Sequence, residues 1–219
     1  MQSETTLPGE LLRPPRLYSA SEVLARPSPV PALPGIYAWY FSEIPEGIDV
    51  TGCHSRDGKI LLYLGISPSA PPKNGKAPSR SNIRRRLQTH YAGNASGSTL
   101  RLTLGCLLAS KLGIGLRRVG SGGRYTFTNP GEQVLDTWLA ANAFVGWHTC
   151  ESPWQVEKMI LSSGLPLPLN IADNPCAAHK AHLSPIRRAA RVTADKLDVI
   201  ADNGGARKGA TRPIQATSA

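Results

Sequence analysis

The sequence predicts a mixed α/β (α+β) domain with a small antiparallel central sheet of three main strands flanked by helices. Three observations predict it. Short runs rich in β-branched and aromatic residues recur at 35–41 (GIYAWYF), 59–67 (KILLYLGIS) and 143–150 (AFVGWHTC), each the length of a strand. The segment 81–91 spaces Ile83, Leu87 and Tyr91 along one helical face behind a Ser-Asn start. The segment 152–164 opens on Ser152 and Pro153 and closes on Gly164, the punctuation of a helix.

The elements follow in order. Residues 1–32 are rich in proline and read as an irregular arm, with a short helix near SASEVLA. The first two strands, joined by a long turn, make an antiparallel hairpin. A loop of Pro and small residues at 68–79 precedes the first main helix. The stretch 97–113 predicts one helix that carries Leu100, Leu104, Leu107 and Leu108, is capped by Ser98 and stops at Gly113. An insert at 111–142 holds two short β segments around SGG and a helix over PGEQVLDTWLAANA. The last strand leads into the capped helix, where Gln155 is placed to complete a capping box with Ser152. The main domain at 33–174 is followed by a basic helix at 175–200 and a tail at 201–219 that is expected to be disordered. Trp39, Trp138, Trp147 and Trp154 are expected in the core.

Composition narrows function. The formal charge is +10 and the isoelectric point about 9.8, which points to a polyanionic partner. The first residues have neither the basic nor the apolar region of a signal peptide, and no apolar run approaches a membrane span. The four cysteines form no CxxC pair, and from the missing signal a cytoplasmic chain with reduced thiols is expected. The Gly-Lys at 75–76 lacks the first glycine of a phosphate loop, so no nucleotide cofactor is expected. Cys176, His179 and His182 give three ligand types without a fourth, so a surface or structural role outweighs zinc.

The polar residues inside the apolar pattern carry the chemistry. Tyr37 and Tyr63 lie on the first two strands. Arg86 and His90 share one side of the first main helix. Glu157 borders the apolar stripe of the later helix, and Asn170 lies in the extended segment after it. Taken singly, each has a bland reading: sheet residue, charge run, surface carboxylate or turn former.

Together they carry a resemblance. GIY at 35–37, YLG at 63–65, RRRLQTHY at 84–91, EKMI at 157–160 and PLN at 168–170 stand in the order seen in the GIY-YIG nuclease superfamily. The resemblance spans roughly 33–172. It departs in Leu64, where the family has Ile, and in the extra sequence at 68–79 and 111–142. It implies a GIY-YIG-like fold and a metal-dependent endonuclease that hydrolyses phosphodiester bonds of DNA, with branched or damaged DNA among the substrates. It also implies roles. Tyr37 and Tyr63 match the motif tyrosines, Arg86 the helix arginine and His90 a position that holds His or Tyr. Glu157 matches the metal-binding carboxylate and Asn170 the asparagine that closes the site.

The chemistry supports those residue types. One Mg²⁺ or Mn²⁺ on Glu157 relieves charge on the phosphate. A guanidinium at Arg86 matches phosphate oxygens in a planar fork. A phenol at Tyr37 or Tyr63 takes the proton of the attacking water, provided that Arg86 and the cation lower its pKa. Backbone contacts are expected from Arg84 and Arg85, from Arg117 and Arg118 beside the glycine turn, and from Arg187, Arg188 and Arg191 in the basic helix. The rival reading is a non-catalytic nucleic-acid-binding protein that retains the fold.

Overall fold

The computed structural model describes residues 11–201 except 73, 75–78, 172, 173 and 175. The first ten residues of the arm and the tail from 202 onward lie outside the described residues.

The strands form where the sequence places its β-branched and aromatic runs. Strand β1 is Gly35–Phe41, β2 is Ser55–Arg56, β3 is Lys59–Ser67 and β6 is Ala143–Thr149, in the antiparallel order β2-β3-β1-β6. The sheet therefore has four strands where three were expected. The added edge strand is two polar residues long, too short for any apolar alternation to mark it in sequence.

Strand β1 pairs on both sides, and all seven of its residues are buried. Its alternation splits the core in two. Tyr37, Trp39 and Phe41 join one cluster with helices α2 (Ile83–Ala92), α3 (Thr99–Leu107) and α5 (Thr128–Asn142). Ile36, Ala38 and Tyr40 join the other, with Val156, Ile160 and Leu161 of helix α6 (Pro153–Ser162) and Leu11 of the arm. Helices thus cover both faces of the sheet, which is why β1 reads as a continuous apolar run.

The arm is more ordered than its prolines imply. Helix α1 (Ala20–Leu24) starts on a capping box between Ser19 and Glu22. Tyr18 exchanges two backbone hydrogen bonds of 2.9 Å with Val145, and so closes the outer edge of β6.

The stretch predicted as one helix over 97–113 is two: α3, then helix α4 (Ala109–Leu112) after a break at Leu108. Ser98 caps the start, and Gly113 ends the run in the left-handed region at φ 62°.

The insert folds into hairpin β4 (Arg117–Val119) and β5 (Arg124–Thr126), followed by α5. A buried ion pair locks it to the body: the fully buried Arg101 donates to Glu132 Oε2 at 2.6 Å and pairs with Asp136 at 2.8 Å. Arg101 also donates to the carbonyls of His90 and Tyr91, while Glu132 Oε1 accepts from the amides of Ala95 and Phe127. Every charge in the pair is hydrogen-bonded, the condition for a buried ion pair to be tolerated.

Helix α7 (Ala177–Asp195) continues through Pro185 and packs on α3 and β4. Among the described residues no helix is long and apolar enough to cross a membrane.

Candidate active site

The antiparallel register fixes the two phenols. Tyr37 stands opposite Gly65, and Trp39 opposite Tyr63, so Tyr37 and Tyr63 are diagonal neighbours on one face. The Tyr37 ring lies over Gly65: a Cβ there would sit 2.5 Å from the Tyr37 hydroxyl. That glycine is thus the space the phenol occupies. Gly35 has a different cause, since a Cβ would come within 2.4 Å of the His148 carbonyl oxygen on the neighbouring strand.

Helix α2 brings two groups to the same phenol. Asn82 caps it through the Arg85 amide, and Ile83 and Leu87 bury its inner face. Arg86 and His90, one turn apart, then both reach Tyr37. Arg86 Nε donates to the Tyr37 hydroxyl at 3.4 Å, and its Nη1 donates to the Gly97 carbonyl at 2.8 Å. His90 Nε2 meets the same hydroxyl at 2.9 Å. On its far side His90 Nδ1 meets Ser98 Oγ at 2.7 Å, and that oxygen also accepts the Arg101 amide. The imidazole is edged by the rings of Trp39 and Tyr63.

Burial dominates the electrostatics. It pushes the Tyr37 hydroxyl well above the ordinary phenol range; the neighbouring Tyr63 adds to the rise, and Arg86 offsets only part of it. Burial also raises Tyr63. It drives His90 well below the ordinary histidine value, with Arg86 and Arg101 adding to the shift. Arg86 thus lowers the pKa of Tyr37 in the expected direction, but burial is the larger effect. Both Tyr37 and His90 are neutral at pH 7.

Glu157 comes from the other side of the sheet. Helix α6 starts at Pro153 after Ser152, but the Ser152 side chain makes no capping hydrogen bond, so the expected capping box with Gln155 does not form. The half-buried Glu157 lines one cleft of about 1260 Å³ with Tyr37, Tyr63, Arg86 and Asn170. Residues of two helices and two strands, distant in sequence, thus line one cleft.

Asn170 is committed to the backbone. Its Oδ1 accepts the Leu64 amide and its Nδ2 donates to the Leu64 carbonyl, both at 2.8 Å. With the Leu169 amide bonded to the Leu62 carbonyl, this segment lies along β3 beyond its short pairing with β2 and holds Leu64 between Tyr63 and Gly65.

The donor set fits one hard divalent cation. Among the described residues no three His, Cys, Asp or Glu side chains gather as a metal group. A single carboxylate among phenol, guanidinium and amide groups suits an ion that keeps most of its water.

The expected nucleic-acid contacts divide. Arg187 lines the cleft, and Arg85 and Arg188 are exposed. Arg191 is exposed too, with its guanidinium 5.5 Å from the Tyr125 ring centre. Arg84 instead donates to the Val30 carbonyl at 2.5 Å and ties the arm to α2. Arg117 donates to the Asp198 carbonyl, and Arg118 to the carbonyls of Asp195 and Leu197. These two hold the hairpin to the end of α7, where the last carbonyls lack helical partners.

Trp154, Lys158 and Lys180 are among the lining residues that sequence reasoning missed. Trp154, expected in the core, packs in neither core cluster. Its spacing from Glu157 was the available signal. Nothing in the sequence connected Ser98, read as a cap alone, to His90.

A helix-flanked antiparallel sheet with paired tyrosines, an arginine and one carboxylate in a single cleft defines a nuclease-type domain. The chain matches the family model of the GIY-YIG catalytic domain over residues 35–191, more than half its length, and belongs to that family. The match runs through most of α7, beyond the limit of 172 expected from the motifs. No curated protein and no solved structure matches the chain.

Proposed function

We propose that the protein is a metal-dependent endonuclease that hydrolyses DNA phosphodiester bonds. The observation that carries this reading is the shared cleft of Glu157, Tyr37, Tyr63 and Arg86.

Glu157 would hold one Mg²⁺ or Mn²⁺, which when bound supplies Lewis-acid stabilisation of charge at the phosphate. Arg86 is anchored by the Gly97 carbonyl and directs its remaining donors to phosphate oxygens. Tyr37 faces the attacking water as a neutral phenol. With His90 Nδ1–H donating to Ser98, Nε2 is free to accept the phenol proton. Tyr37 can then accept the water's proton while passing its own to His90. Burial opposes the phenolate, and burial with Arg86 and Arg101 opposes the imidazolium, so the proton rests on His90 only while the water attacks. This relay favours Tyr37 over Tyr63 as the proton acceptor, and Tyr63 offers its hydroxyl to the water or the phosphate. Asn170 acts as a positioning residue through Leu64.

The test is supercoiled plasmid incubated with Mg²⁺ or Mn²⁺, comparing wild type with Glu157→Ala. Nicking that requires both metal and Glu157 is the expected result. DNA retention without cleavage, identical in both proteins, would make the protein a binding module.

A further inference from the structure

Helix α6 presents one continuous face to the cleft. Trp154, Glu157, Lys158 and Leu161 follow at spacings of three, one and three residues, and all line it. Lys158 is exposed and Trp154 half-buried. Helix α7 supplies Lys180 and Arg187, two turns apart on one face of that helix, to the same cleft. The floor between the helices is recessed, with Tyr37 only 1% exposed. The protein has four tryptophans; Trp39, Trp138 and Trp147 sit in or against the main core cluster, and Trp154 in neither cluster. A large ring that could have been buried instead stands one helical turn from the carboxylate, among cations.

We propose that Trp154 is a stacking platform for an unpaired base, so that the cleft takes a single DNA strand rather than a continuous duplex. This rests on the nuclease reading for its chemistry, but not for its binding. A phosphate reaches the recessed phenol only if the nucleotides beside it also enter the trench. Inside a duplex the base faces are already occupied by their neighbours. A base that has left the stack has a free face, and an indole covers it with little dependence on sequence. Lys158, Lys180 and Arg187 then meet the flanking phosphates, a pattern of aromatic ring and basic groove suited to single strands. The preferred substrates are single strands, flaps and junction arms, where such bases are exposed.

The test is binding of fluorescein-labelled octathymidylate and of a blunt 16-base-pair duplex, by anisotropy in EDTA so that no cleavage intervenes. Wild type, Trp154→Phe and Trp154→Ala are compared. Expected is single-strand affinity that falls about 10- to 100-fold in Trp154→Ala, largely returns in Trp154→Phe, and duplex affinity that moves less than about threefold. In wild type the octamer should quench tryptophan emission, and Trp154→Phe should lose that quenching. This second readout needs only the conservative variant if Trp154→Ala fails to fold. Equal losses on both ligands, or unchanged single-strand binding and quenching, would overturn the proposal. The plasmid assay separates the two readings. Metal-dependent nicking with no Trp154 effect on single strands leaves the nuclease and removes the platform. Stacking without cleavage of any substrate leaves the platform and removes the nuclease.

Discussion

The Tyr37 hydroxyl lies 2.9 Å from His90 Nε2 in a contact closed to solvent, with Tyr37 1% and His90 0% exposed. The pair joins the central strand to the first main helix. Arg86 Nε reaches the same oxygen at 3.4 Å, and Tyr37 lines the cleft.

Removing that oxygen separates chemistry from fold. Tyr37→Phe keeps the ring over Gly65 and deletes the hydroxyl. Single-turnover plasmid cleavage should fall by about 10² to 10⁴-fold, the worth of a general acid–base group. His90 is left short of a partner, so melting should report a loss of about 1–3 kcal/mol, well short of unfolding. Cleavage at the wild-type rate would remove Tyr37 from the proton path.

The same pair sets two limbs of the stability–pH profile. His90 has its pKa lowered in the fold, so below its ordinary value of 6.5 the unfolded chain binds a proton that the native protein refuses. Stability is therefore present above about pH 6.5 and lost as pH falls, at up to about 1.4 kcal/mol per unit. Tyr37 is the opposite case: its pKa is raised, so stability is present below the ordinary phenol value of 10.0 and lost as pH rises past it. Melting from pH 5 to 11 should show His90→Gln flattening the acid limb and Tyr37→Phe the alkaline limb. Unchanged limbs in both variants would contradict the burial argument.

The second motif glycine is predicted to be intolerant. In Gly65→Ala the new methyl would collide with the Tyr37 hydroxyl and ring. The ring must shift away from His90 and Arg86. The cost is about 1–3 kcal/mol of stability, as for other overpacked sites, with cleavage lost as in Tyr37→Phe. A melting temperature and cleavage rate equal to wild type would show that the ring can yield without consequence.

Arginines that look alike in sequence should separate by measurement. Arg187 and Arg188 are available to phosphates, so each Ala variant should flatten the dependence of log binding constant on log salt by about 0.9. Arg117 and Arg118 are bonded to carbonyls at the end of α7. Their Ala variants should lower the melting temperature and leave the salt slope alone. The reverse pattern would place the DNA path over the hairpin.

The sequence by itself determined the three long strands, the helices that cover them and the set of polar side chains in the site. It could do so because each strand is one apolar run, each helix has a face and a stop signal, and the motif residues recur in a fixed order. Tyr37, Tyr63 and Arg86 are legible in this way. Tertiary structure alone decided the rest. Arg86 and Arg187 share the cleft while Arg118 grips the end of α7, because a guanidinium is spent on whichever acceptor packing places beside it. Trp154 lines the cleft and joins neither core cluster, a placement that the helix's position on the sheet decides. The phenol of Tyr37 is neutral because burial outweighs Arg86, and the imidazole of His90 because burial and the charges of Arg86 and Arg101 act together; burial is a property of the assembled chain.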